Sequence, residues 1–156
     1  MKKIKTILIL AFIMLLAACK KESVDTPQTT TLPTTPPTKQ EILASKTWQL
    51  TSSTISPAMM GHTDLYAMLD ACEKDNTLKF SNDAAKTLVI DEGSNICSGR
   101  VAKKNTTWSL DKDEKMFSID EMLYTLNNFS AENFNVAHSE MIDGINYTIT
   151  CTYSSK

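Results

Sequence analysis

The chain has little that acts on a substrate by a recognisable device. Its four glycines are scattered, so no glycine-rich loop presents the backbone N–H groups that cradle a phosphate. It has no Cys-x-x-Cys, which removes zinc ribbons and thioredoxin-type chemistry, and no Gly-x-Ser-x-Gly or His-Glu-x-x-His. Only two histidines occur, His62 and His138. Positive charge is not in excess either: 16 basic residues face 18 acidic ones over 156 residues. A nucleic-acid partner requires a basic face to offset phosphates, so that class is excluded. The apolar run Ile7–Ala18 has 12 residues, well short of the ~18–20 that a membrane-spanning helix requires.

That run does have a use. Lys2, Lys3 and Lys5 precede it, and small residues with a cysteine follow, which is the layout of a secretory leader. Leu16-Ala17-Ala18-Cys19 resembles the lipobox of bacterial lipoproteins. The resemblance implies cleavage after residue 18 and a diacylglycerol on the Cys19 thiol, so the protein would reach its membrane through an N-terminal lipid. The plainer alternative is an ordinary signal peptide cut near Ala18. Without residues 1–18 the chain holds 13 basic and 18 acidic residues. Several acyl chains on one terminus hold a bilayer far more firmly than a single chain. The implied address is the cell envelope, at the outer membrane, and Lys20-Lys21-Glu22 is too mixed in charge to choose a leaflet.

Residues 19–38 read as a tether. Seven Thr and four Pro fill 11 of the 15 positions from Val24 to Thr38. Such a stretch cannot bury enough surface to offset the entropy of ordering. Extended, some 18 residues reach about 55 Å, enough to hold a domain clear of a membrane.

Residues 39–156 are long enough for one core. Thr38-Lys39-Gln40-Glu41 is a capping-box pattern and predicts a short helix. Period-two alternation then dominates. It is clearest where Ile145, Tyr147, Ile149, Cys151 and Tyr153 share one face. Turn signals such as Glu92-Gly93-Ser94 and Asp143-Gly144 separate the runs. The pattern predicts about eight strands, near 46–55, 76–81, 86–91, 97–110, 115–120, 122–128, 133–139 and 145–153. With one apolar and one polar face per strand, the expected fold is all-β: a small antiparallel, up-and-down barrel. Asp64–Ala71 holds helix-forming residues, with Thr63 placed to cap them. One short helix is therefore expected in the first long connection.

With these elements in place, the chain resembles the lipocalin-like domains of bacterial lipoproteins. Trp48 follows a short helix, as the opening tryptophan of lipocalins does. Cys72-Glu73-Lys74-Asp75-Asn76-Thr77-Leu78-Lys79-Phe80 is similar to the family's Cys-Glu block, and Gly93 and Cys97 to its second cysteine after a glycine-containing turn. Thr106, Trp108 and Leu110 match its Thr-x-Trp-x-Leu strand. Lys46 departs from the pattern, standing where lipocalins usually carry glycine. The resemblance spans about residues 42–153 and implies a lipocalin- or calycin-like barrel.

Three cysteines remain once Cys19 is set aside. In an oxidising compartment one pair is expected. The resemblance and their places at loop edges favour Cys72 with Cys97; the rival is Cys151 with either. On its alternating face, Cys151 reads as a buried small hydrophobe.

Two functional expectations follow. In the first, the barrel binds a small apolar or amphipathic ligand against Trp48, Phe80, Trp108, Tyr124, Phe134 and Tyr147. In the second, those side chains fill the interior and the protein is an interaction or envelope-structural module, since a short eight-stranded barrel is just wide enough for its own side chains. No constellation supports an enzyme, a metal site or a cofactor. His62 beside Met59, Met60 and Met68 reads as flexible packing and not as a haem or soft-metal site. Glu73 and Asp75 read as a charged strand start and not as an acid–base pair. His138 falls on the inward face at a strand end, where a barrel mouth would lie, and reads more simply as a solvated strand terminus.

Overall fold

In the computed structural model, residues 35–156 are described. The leader, Cys19 and all but the last four residues of the tether lie outside them. Pro36–Lys156 forms one compact unit. Helix α1 (Lys39–Ser45) opens it, and the capping box is present: the Thr38 hydroxyl accepts from the Glu41 N–H while the Glu41 carboxylate receives the Thr38 N–H. The strands are β1 (Thr47–Met59), β2 (His62–Asp64), β3 (Thr77–Phe80), β4 (Thr87–Asp91), β5 (Lys103–Leu110), β6 (Met116–Ile119), β7 (Met122–Phe129), β8 (Asn133–Ile142) and β9 (Ile145–Ser155). All pairings are antiparallel. They run β1-β3-β4-β5-β6-β7-β8-β9, and β9 returns to β1 to close an eight-stranded barrel. β2 adds to the outer half of β1 as a ninth strand.

The eight expected strands are present in order, but β1 runs on to Met59 and β8 to Ile142, β2 is an added ninth strand, and two further regions differ. The start of β5 moves from 97 to Lys103, because residues 97–102 form the end of a disulfide-bonded loop. The helix expected over Asp64–Ala71 is corrected. Thr63 does not cap a helix but lies in β2, whose partner β1 continues to Met59. Only a 3₁₀ turn at Tyr66–Met68 and a four-residue helix α2 (Ala71–Lys74) follow. Strand pairing overrides a weak helical propensity here. Asp70, not Thr63, makes the capping box, with Glu73.

Trp48, Phe80, Phe117 and Phe134 are enclosed at the α1 end, with Trp108 beside them. The rings meet mostly edge to face: Trp48 on Phe134 at 4.9 Å, Phe80 on Trp108 at 5.1 Å and on Phe117 at 5.6 Å between centroids. Such pairs add to the burial energy of each ring. α1 plugs this end. Its Leu43 is fully buried and its carbonyl accepts from Trp48 Nε1 at 2.9 Å. Lys39 reaches the Glu114 carbonyl at 2.8 Å, so α1 is tied to the β5–β6 turn as well. Lys46 has extended backbone, φ −125°, and its ammonium lies 2.8 Å from Glu132. Glycine's freedom is not needed at that position.

Hairpin turns at the other end require left-handed backbone. The β8–β9 turn supplies Asp143 and Gly144, with φ of 50° and 79°, the residue pair preferred in two-residue hairpins. The β6–β7 turn does the same with Asp120 and Glu121, at 50° and 67°, and no glycine. Left-handed backbone costs an L-residue roughly 1–2 kcal/mol.

Two outcomes are expected from urea titrations followed by tryptophan fluorescence or far-UV circular dichroism. Trp48→Ala, which empties the floor and removes the Leu43 bond, should lower unfolding free energy by about 3–5 kcal/mol. Glu121→Gly should raise it by about 0.5–1 kcal/mol, through relief of the turn.

Candidate binding site

Strand alternation places one row of side chains from each strand inside the barrel, and burial along those rows changes from end to end. Near α1 the inward residues are closed off: Trp48, Phe80, Leu88, Trp108, Phe117, Leu126, Phe134 and Val136. Farther along the same rows, Ile90, Ile119, Tyr124, His138, Ile149 and Cys151 keep accessible surface, whereas Ser53, Ile55, Glu92 and Tyr147 are buried. The interior therefore has a closely packed ring floor and, above it, a mixture of buried and part-exposed side chains.

Of the six aromatic residues expected to line a cavity, Trp48, Phe80, Trp108 and Phe134 belong to the floor and spend their surfaces on one another. Tyr147 is buried on β9 opposite Glu140, outside that cluster. Tyr124 alone of the six stands on the open part of the wall, edge-on to His138 at 5.2 Å. Tyr153, stacked on Phe134 at 5.1 Å, and Cys151 complete this side.

The electrostatics of the wall follow from enclosure. Burial raises the Tyr153 phenol well above its ordinary value, and the nearby Cys151 and Tyr124 add to this because each would be negative when ionised. Burial likewise raises Tyr124 and the Cys151 thiol, the latter partly offset by the Ser53 hydroxyl 3.6 Å from Sγ.

At the mouth the chain is braced. Cys72 of α2 and Cys97 of the β4–β5 loop form a disulfide across 25 residues, and Cys151 is a free thiol. Asp75 Oδ2 accepts from the backbone N–H of Ser94 and of Asn95 at 3.1 and 3.0 Å. The Asn95 bond chiefly holds the Asp75 carboxyl below the usual range. Gly93 has φ +72°, and a Cβ there would come within 2.8 Å of Asp75, so only glycine lets the loop close on this carboxylate. Arg100 bridges Glu73 at 3.1 Å and Glu92 at 3.4 Å. Glu73 and Asp75 are thus occupied in caps and bridges, not in a catalytic pair. His62 lies exposed on β2. Among the described residues no group of His, Cys, Asp and Glu is placed to hold a metal ion.

A closed antiparallel barrel with a plugging N-terminal helix and a packed aromatic floor is the architecture that the site residues share. The lipocalin-like domain family matches residues 45–150, and the chain belongs to that family. The family is generally non-enzymatic. Among curated proteins, none matches the chain.

The raised values of Cys151, Tyr124 and Tyr153 have a direct consequence for stability. Their unfolded counterparts lose protons first, from about pH 9 for the thiol and 10 for the phenols. Between unfolded and folded values the native state holds more protons, so its stability falls as pH rises. The urea midpoint should drop between about pH 8 and pH 11. Tyr153→Phe, which keeps the stacked ring, should make that drop shallower; an unchanged profile would remove Tyr153 from this role.

Proposed function

We propose that this protein is a lipid-anchored binding cup of the bacterial cell envelope, taking a small apolar or amphipathic molecule into the upper half of its barrel. The observation that carries the reading is the set of part-exposed side chains on the inward rows above the floor. The floor holds the fold together through its own ring contacts, while Tyr124, His138, Ile149 and Cys151 keep surface that the packing does not use. Tyr153 adds to this: it is enclosed on nearly every side yet retains accessible surface, and among the described residues its hydroxyl has no side-chain or backbone partner. Pockets of this kind are mostly apolar with a few convergent polar groups.

The anchor rests on the leader and lipobox described above, with Cys19 as the acylated residue and residues 19–38 as the spacer. Outer-membrane residence rests on the same sequence features. The membrane is then the protein's partner through lipid alone, and the cup's partner is a small molecule; no cofactor enters this reading.

Two measurements test the two halves. Radiolabelled palmitate should be incorporated by the wild-type chain and lost in Cys19→Ala, and equal labelling of both would reject the anchor. Native mass spectrometry of protein extracted from its own membranes should show a bound mass below about 1 kDa, released on unfolding. If no such mass is found and the barrel has no enclosed volume near the ~300 Å³ of ligand sites, the filled-barrel interaction module takes the place of the cup.

A further inference from the structure

We infer that the molecule taken by the cup is a cationic amphiphile, a protonated amine on an apolar body, and that the carboxylate of Glu92 receives the amine. The inference rests on the cup reading and adds the charge of the ligand and the residue that meets it.

Charge is sorted between the two ends of the barrel. The connections at the open end and the strand ends that meet them, residues 60–76, 91–104, 120–121 and 143–144, carry nine carboxylates and four cations, Lys74, Arg100, Lys103 and Lys104, with Lys103 paired to Asp91 and Lys104 to Asp120. At the α1 end, residues 36–46, 81–86, 111–115, 130–132 and Lys156 carry six of each. Exposed apolar side chains are sorted in the same direction. Met122 and Leu123 adjoin the Asp120–Glu121 turn, Met141 and Ile145 flank Asp143–Gly144, and Ile96 and Val101 stand on the β4–β5 loop. The entrance therefore presents apolar surface within a negative field. A neutral apolar ligand gains nothing from that field, an anionic one is repelled, and a cationic amphiphile is favoured by both features.

Inside this rim two carboxylates, Asp75 and Glu92, each have a buried oxygen without a partner among the described residues, and Glu92 is the one on an inward row. Alternation along β4 carries the inner row from Leu88 through Ile90 to Glu92, which is only 6% exposed. Glu92 Oε1 lies 3.4 Å from Arg100 Nη1, a guanidinium that Glu73 shares at 3.1 Å. Glu92 Oε2 is buried and has no partner among the described residues. One guanidinium is thus shared between the Glu73 and Glu92 carboxylates. A buried carboxylate oxygen left without a donor is costly, and the cost disappears when a donor arrives. An ammonium group supplies the missing N–H together with a positive charge.

The test uses the intact protein and four twelve-carbon probes below their micelle concentrations: dodecylammonium, dodecyltrimethylammonium, dodecanol and dodecyl sulfate. Affinity is read by calorimetry or by quenching of intrinsic fluorescence. Dodecylammonium should bind at least about tenfold more tightly than dodecanol or dodecyl sulfate. The trimethyl compound, which has charge but no N–H, should fall between. Glu92→Gln should abolish the advantage of the amine over the alcohol while leaving alcohol binding unchanged, with folding checked by circular dichroism.

Equal binding of all four probes would overturn the inference and leave the cup intact. Binding of none would overturn the cup and the inference with it. An amine preference that survives Glu92→Gln but is lost in Asp120→Asn/Glu121→Gln would overturn the assignment to Glu92. Should Glu92→Gln fail to fold, the comparison of the first two probes on the wild-type protein decides: no difference between them removes the N–H contact.

Discussion

Everything else in this domain depends on β1 reaching β9. Without that pairing the chain is an open sheet with two free edges and an apolar face with nothing to cover it. With it, the inner rows of eight strands converge on one axis, and the side chains near α1 become each other's environment. Trp48 sits at this junction. It belongs to β1 and lies opposite Ser155 of β9 and Leu78 of β3. Its ring meets Phe134, and its N–H is answered by α1. Closure, floor and plug are thus one constraint met at one residue.

The consequences separate along the barrel axis. At the α1 end, rings fill the interior and mixed charges pair locally across the turns, as Lys46 does with Glu132. The lip at the opposite end is built differently. It is held by a covalent bridge and by the Asp75 carboxylate that gathers the β4–β5 loop. Above the floor, Ile90, Ile119, Tyr124 and Cys151 pack against the core and keep part of their surface. A fold whose core ran the full length of the strands would have no such division.

The sequence showed which face each strand turns inward, because alternation is a local property. It also showed the α1 cap, since Thr38 and Glu41 are three residues apart, and it ranked the Cys72–Cys97 pair first. It could not show depth. Phe134 and Tyr124 satisfy the same pattern on neighbouring strands, yet one is sealed in the floor and the other keeps surface. That difference comes from how far each stands along the axis once the barrel closes. Residues 63–71 depart from expectation for a related reason: a run of helix formers is legible in sequence, whereas the partner strand that claims its first residues is not. Glu92 was hidden by its neighbours, because Glu92-Gly93-Ser94 reads as a turn. Nothing nearby in the sequence marks the carboxylate as the last residue of an inward row.

One small contact has a wider meaning. The N–H of Lys156 bonds to the carbonyl of Thr47 at 2.9 Å, so the last residue of the domain lies beside the start of its first strand. Both ends of the folded chain leave from the plugged side. A fusion partner joined at either end would hang behind the barrel and not across its entrance. At the opposite side the β6–β7 and β8–β9 turns, which the disulfide and the Asp75 contacts do not involve, are free to change in length or chemistry without asking the chain to find a new route home. A binding specificity could be rewritten there while the scaffold stays as it is.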